Sequence, residues 1–280
     1  MKDGKAGQVR PPPGSADETL ATWRSPIWAP IGTNLWGYLL LPAMAFVLLA
    51  VAGLAVDVPL SRAAIEFTRP GAVRELPALQ SHERLARLVQ KSIDSAREVL
   101  EMSETFGHGV GVAMLVLAVY VLDRRRRWAI PRLLLLTYGA GLAANLAKMV
   151  LARTRPAGFD LNAGDVWQTF EAWFRFGAGG SLHQSFPSAH TTTAVVFAVL
   201  LSCLYPHARR LFVGLAVLVA AQRLQCGAHY LSDICSGAAI GWLFVVGSFR
   251  AAPFTRWMDR LEARWAGQQR QAAVVSRRAA

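Results

Sequence analysis

Residues 133–156 read LLLLTYGAGLAANLAKMVLARTRP. The run from Leu133 to Ala152 carries one charge, Lys148, and gives way to Arg153, Arg155 and Pro156. It is about as long as the roughly 20 helical residues needed to cross a hydrocarbon core. A surface helix of a soluble domain would show a charged face at this length, and this run shows none. Five more apolar runs flank it: Thr33–Val56, Phe106–Leu122, Ala189–Tyr205, Leu211–Leu231 and Ile234–Phe249. The second, fourth and sixth runs of the chain are short for a span. The expected fold class is all-α, a six-transmembrane-helix bundle with an external amphipathic helical segment.

Composition agrees with that reading. The 280 residues are 53% hydrophobic and 17% charged, too apolar for an ordinary soluble domain. A net charge of +12 would suggest nucleic acid if it formed one patch. Here it falls in short blocks between apolar runs, which excludes a nucleic-acid partner and reports topology. Arg124–Arg127 lie between runs two and three, and Arg209 and Arg210 between runs four and five. Arg250, Arg256, Arg260, Arg264, Arg270, Arg277 and Arg278 follow run six. Basic loops stay cytoplasmic, so both termini are expected there. Residues 1–32, with RPPPG and no periodicity, read as a flexible tail rather than a signal peptide. Residues 33–250 read as one membrane domain and 251–280 as a basic tail, in which Trp257, Leu261 and Trp265 keep a weak helical spacing.

The opposite side then receives residues 57–105, residues 153–188 and a tight turn near Leu231–Asp233. Within the first of these, Leu85, Leu88, Val89, Ile93, Ala96 and Leu100 recur at helical spacing, as expected of an amphipathic helix lying on the outer membrane surface or the bundle. Cys203, Cys226 and Cys235 have no metal-ligand spacing. They read as small packing residues, with pairing of Cys226 and Cys235 the alternative.

Charged residues at the ends of spans are functional candidates, and three clusters fall on this outer side. Lys148 and Arg155 are nearly two helical turns apart, so both can face one way toward an anion, with Pro156 stopping the helix. Read alone, the pair also fits two cations snorkelling to headgroups. Ser188 is a candidate N-cap after Pro187, so the next run opens with free N–H groups suited to phosphate and His190 at its rim. An ordinary capped helix is the alternative. His229 and Asp233 are four apart, which sets a carboxylate beside an imidazole. Such a pair fixes the tautomer and frees the other ring nitrogen for attack, or is simply structural. Gly227 lets the backbone break between Arg223 and His229. Scattered snorkelling would not bring cations, a helix start and two histidines to one depth.

Together these clusters resemble the three signature motifs of the type 2 phosphatidic acid phosphatase superfamily. They appear as Lys148–Arg155–Pro156, Pro187–Ser188–Ala189–His190 and Gln222–Arg223–His229–Asp233. Ala189 stands for the usual Gly and Gln222 for the usual Ser. Alanine keeps its N–H, so little changes there, whereas Gln222 removes a serine hydroxyl beside Arg223. The resemblance implies a metal-independent lipid phosphatase with no cofactor. Lys148, Arg155, Ser188, the Ala189 N–H and Arg223 would hold phosphate. His229 would attack phosphorus with Asp233 orienting it, and His190 would protonate the leaving oxygen and then activate water.

The implied substrates are phospholipid, isoprenoid or lipid A phosphates: phosphatidic acid, phosphatidylglycerol phosphate, undecaprenyl pyrophosphate or lipid A phosphate. The implied place is the periplasmic face of a bacterial inner membrane. A phosphotransferase using the same phosphohistidine is the alternative. A soluble vanadate-dependent haloperoxidase is opposed by the apolar runs, and a non-enzymatic lipid-phosphate binder by the presence of both histidines. Arg153 lies off the motif and is assigned a headgroup or flanking-phosphate contact, or none. His183 reads as a solvated loop histidine. Trp167, Phe170, Trp173, Phe174 and Phe176 read as interfacial anchors or a gate for the lipid chain.

Overall fold

The computed structural model describes Trp28 and residues 35–69, 71–75, 77, 81–174 and 180–279. Apart from Trp28, the tail before Thr33, the first residues of the first run and Phe176 lie outside the described residues. The architecture is all-α apart from one two-stranded sheet. In order come α1 (Leu41–Leu54, preceded by a wide helical turn at Leu35–Leu40), α2 (Asp57–Thr68), α3 (Glu83–Ser103), α4 (Gly109–Leu122) and α5 (Ile130–Val150). Then follow β1 (Leu151–Arg153), β2 (Phe170–Trp173), α6 (Ala189–Leu204), α7 (Arg209–Gln225), α8 (Leu231–Arg250) and α9 (Ala252–Ala279).

Helix α6 is the axis of the bundle. Thr191, Thr192, Thr193, Ala194, Val196, Phe197, Ala198, Leu200, Leu201 and Leu204 are all buried, so it is enclosed nearly all round. That is the expected fate of a helix without a polar stripe. It packs against α5, α7 and α8, while α1 lies on the far side of α8. The α6–α8 contact is set by small residues in the sequence GAAIG: a Cβ on Gly237 would meet the Ser188 carbonyl oxygen at 2.4 Å, and one on Gly241 the Thr192 oxygen at 2.7 Å. Small residues spaced by four let two helix backbones touch. Lipid-facing positions such as Leu48, Leu117, Leu142 and Leu211 remain exposed.

Residues 127–150 and α8 are long and apolar enough to cross a membrane, and α6 is a shorter apolar helix. Two bent pairs reach that standard when each is taken as one span: α1 with α2, bent by 81°, and residues 83–106 with α4, bent by 72°. Among the described residues that makes up to four spans by length and composition, where six runs were expected.

Several expectations are corrected. Helix α5 stops at Val150, six residues before Pro156, so Lys148 and Arg155 do not share a helix face. Residues 151–153 instead pair antiparallel with β2, with an irregularity in register between Ala152 and Arg153. Residues 57–105 hold the expected amphipathic helix as α3, with a second helix, α2, before it. The tight turn lies at residues 226–230, not at Leu231–Asp233, which begins α8. Gly227, at φ 65°, closes α7: the Ala228 N–H reaches back to the Arg223 carbonyl (3.2 Å) and the Gly227 N–H to Leu224 (3.1 Å). This doubly bonded left-handed cap is where glycine is favoured.

The segment after run six is also more than a tail. Helix α9 lies against α5 and α8, with Met258, Asp259 and Glu262 buried. Buried Arg132 at the start of α5 reaches Asp259 at 2.6 Å and Glu262 at 2.9 Å. Its guanidinium lies 5.3 Å from the Trp28 ring centre. Arginine suits such a site because its planar fork serves two carboxylates and a ring face together.

Candidate active site

The three clusters meet at one end of the bundle. The sequence after α5 runs extended through β1, and the Arg155 N–H bonds the Leu182 carbonyl at 2.8 Å. The Ala157 N–H then reaches the Gly227 carbonyl at 3.0 Å, which ties the first cluster to the third. The Ser188 N–H donates to the Asp233 carbonyl at 3.1 Å, which ties the second to the third. Lys148, Arg155, Ser188, Ala189, His190, Arg223, His229 and Asp233 are thereby brought together.

His229 is 1% exposed. Its Nδ1 lies 2.6 Å from the Ser185 carbonyl oxygen, which can only accept, so Nδ1 carries the proton and Nε2 keeps the lone pair. Burial pushes this imidazole down to about 4, against the partial opposition of Asp233, so the ring is neutral near pH 7. Asp233 Oδ2 stands 3.8 Å from Nδ1, beyond hydrogen-bond length. The tautomer is therefore set by a backbone carbonyl, with the carboxylate as the charged neighbour. Nor are the two on one helix. His229 precedes α8, and extended Tyr230 caps it, its N–H donating to Asp233 Oδ2 at 2.9 Å.

Asp233 is fixed from all sides. Ser185 Oγ donates to Oδ2 at 2.6 Å, and Arg153 Nη1 pairs with Oδ1. Arg153 is 0% exposed, so the headgroup contact considered for it is not made. Nη1 also bonds Ser232 Oγ (2.7 Å), while Nη2 reaches Asp57 Oδ2 (2.7 Å) and Nε reaches Thr169 Oγ1 (3.0 Å). The rings of Tyr230 and Phe170 cover it at 4.1 and 4.4 Å. Asp57 is also fully buried and accepts the Ser232 N–H at 2.9 Å. A buried chain Asp57–Arg153–Asp233 thus stands behind the histidine.

On the open side stand the cations. Lys148, Arg155 and Arg223 are close enough for their charges to act on one another. Burial and then Arg223 hold the Arg155 guanidinium below its usual value. Its Nε is buried without a protein partner. Three cations crowded together, one with an idle donor, are chemically suited to a multiply charged anion. The first N–H groups of α6, from Ala189 and His190, have no intrahelical acceptor. The Ser188 hydroxyl is turned inward, 2.9 Å from Thr191 Oγ1, where it caps its own helix.

His190 faces this space, with Nε2 3.3 Å from Glu104 Oε1. Glu104 also receives Arg223 Nη2 at 2.6 Å and Gln222 Nε2 at 3.4 Å. Three groups of this neighbourhood went unread in the sequence. Asp57 was signalled only by a carboxylate directly after an apolar run. Glu104 was one acid among many in residues 57–105, and Ser185 had no signal. His183 pairs with Glu171. Phe170 covers Arg153, whereas Trp167 and Phe174 are exposed. Cys226 and Cys235 are free thiols.

The profile of the PAP2 superfamily matches residues 129–257, which hold all three clusters. This part of the chain is similar to the PAP2 superfamily. A lipid A 1-phosphatase from Rhizobium johnstonii is 37% identical over 105 residues, 38% of this chain and 40% of that one. A lipid A 1-phosphatase from Rhizobium etli is 34% identical over 105 residues, 38% of this chain and 42% of that one. The chain thus spans about two fifths of the length of these curated relatives. A transmembrane PAP2-type phosphatidylglycerolphosphate phosphatase from Bacillus subtilis aligns with a TM-score of 0.45 and 21% identity, over 74% of this chain and 93% of that one.

Proposed function

We propose that this protein hydrolyses a lipid phosphate through a phosphohistidine on His229, at the periplasmic side of a bacterial inner membrane. The observation that carries the reading is the His229 ring: Nδ1–H is spent on the Ser185 carbonyl, and Nε2 is left basic beside three cations. Lys148, Arg155, Arg223 and the Ala189 N–H hold the phosphate oxygens and stabilise the charge that builds at pentacoordinate phosphorus. Nε2 forms a bond to phosphorus as the bond to the lipid oxygen breaks, and His190 gives that oxygen a proton. A water then loses a proton to His190 and attacks phosphorus. The P–N bond breaks and inorganic phosphate leaves.

Lipid A phosphates lead the substrate list, supported by the names of the two Rhizobium relatives. Phosphatidylglycerol phosphate, phosphatidic acid and undecaprenyl pyrophosphate are the comparison set. The test is phosphate release from this panel by detergent-purified protein in EDTA, with His229→Ala in parallel. Release from lipid A, lost in the variant, is expected. Activity surviving in His229→Ala would sink the mechanism. A doubly phosphorylated lipid in place of free phosphate would make the protein a phosphotransferase.

A further inference from the structure

We propose that Glu104 is a positioning residue of this site, holding the proton-donating His190 in register with the phosphate-binding Arg223. The inference rests on the proposed function and adds to it a residue outside all three motifs.

Glu104 opens the single turn of helix at Glu104–Phe106 that joins α3 to α4, where the chain bends by 72°. One carboxylate oxygen lies 2.6 Å from Arg223 Nη2 and the other 3.3 Å from His190 Nε2. It therefore bridges α7 and α6, the elements that carry the oxygen-binding cation and the proton donor. Gln222 steadies it by donating Nε2 to Oε2, while the Gln222 Oε1 accepts Arg223 Nε. Gln222, one of the two departures from the motifs, is thus part of the clamp.

The approach is built into the backbone. Gly107 follows the turn, and a Cβ there would meet the His190 carbonyl oxygen at 2.7 Å and Val219 at 2.8 Å. Only a residue without a side chain lets the Glu104 turn sit this close. Phe106 anchors it by packing on Phe197 of α6, ring centres 5.2 Å apart. The His190 Nε2–Glu104 contact is one of charge and distance, without hydrogen-bond alignment, and Nδ1 is the ring atom on the other side of the imidazole. His108, 5.8 Å away ring to ring, covers the imidazole, which further restricts its rotation.

A device that places a proton donor matters only where the leaving group needs a proton. An alkoxide does and a nitrophenolate does not. The quantity to read is kcat/KM, which reports steps through phosphoenzyme formation and leaves out the later attack by water. The test compares dodecyl phosphate with a dodecyl-substituted nitrophenyl phosphate in wild type, Glu104→Gln, Glu104→Asp and His190→Ala, with melting curves for each. Glu104→Gln is expected to lower kcat/KM at least about 10-fold on the alkyl ester and less than about 3-fold on the aryl ester. General acid catalysis is worth about 10²–10⁴ in total. Glu104→Asp is expected to recover part of the loss.

Equal loss on both esters would mean a structural role and overturn the proposal. A rise in activity would mean that the carboxylate competes with phosphate, and unchanged kinetics that it does nothing. Either overturns it too. If His190→Ala fails to show the same leaving-group split, the acid role of His190 falls first, and the proposal with it.

Discussion

Gly237→Ala is the sharpest small perturbation available. A methyl there would lie 2.4 Å from the Ser188 carbonyl oxygen, where ordinary contact begins at 3.4 Å, so α6 and α8 must part by about 1 Å. Ser188 opens the helix that carries Ala189 and His190, and Asp233 sits one turn before Gly237. The displacement therefore falls between His190, the proposed proton donor, and Asp233, which stands behind His229. Overpacking of this kind costs about 1–3 kcal/mol of stability, and a shift of about 1 Å at reacting groups can cost about 100-fold in rate. Gly247 on the same helix is the internal control, since a Cβ there meets nothing within 4 Å. Gly247→Ala is expected to keep wild-type turnover and a melting temperature equal or higher. The assay is phosphate release in detergent with melting curves for both variants. If Gly237→Ala stays folded with wild-type kcat/KM, the helix contact does not set the site, and the reasoning fails.

Two other perturbations probe the buried charges. Arg153→Met leaves Asp57 and Asp233 buried and unpaired, a loss on the order of 3–5 kcal/mol. It is expected to abolish activity and lower the melting temperature sharply, while Arg153→Met with Asp57→Asn regains stability but not turnover. Equal melting of the single and double variants would refute the network. At the other end of the bundle, burial pushes the Glu262 carboxyl up to about 8 from 4.5, with Arg132 opposing and Asp259 adding to the rise. One cation serving two carboxylates leaves one of them a proton. Folding therefore takes up a proton between about pH 4.5 and 8, so stability falls as pH rises through that window and levels off above it. Glu262→Gln is expected to flatten the pH dependence of the melting temperature. A melting temperature that rises with pH across this window in wild type, or an unchanged slope in the variant, would refute it.

The all-α class and the meeting of the three clusters were legible because they depend on composition and on spacing. Charge near the end of an apolar run is costly enough to be informative by itself. The geometry within each cluster was less accessible. A helical reading of Lys148 to Arg155 was reasonable locally, but Leu151–Arg153 pair with a strand some twenty residues later. Periodicity in one segment carries no trace of its partner. The His229–Asp233 interval fits a helix equally well, yet the left-handed cap at Gly227 delays the helix to Leu231. Arg153, Asp57 and Glu104 were out of reach for a related reason. Each acts through a contact across the fold, and an isolated Asp or Glu beside an apolar run looks the same whether it is solvated or sealed in.

The short strand after α5 also fixes a parity. Side chains along an extended chain alternate in direction, and the irregularity between Ala152 and Arg153 resets the alternation once. Through it Arg153 points into the protein, while Arg155, two residues on, is left half-buried among the anion-holding cations. Inserting or deleting one residue between Val150 and Arg153 would turn the Arg153 guanidinium away from Asp57 and Asp233, even if the inserted or deleted residue carried no charge. The number of residues in this stretch is thus as tightly constrained as their identity, and a length variant here would be silent to any measure of overall charge while removing Arg153 from its place.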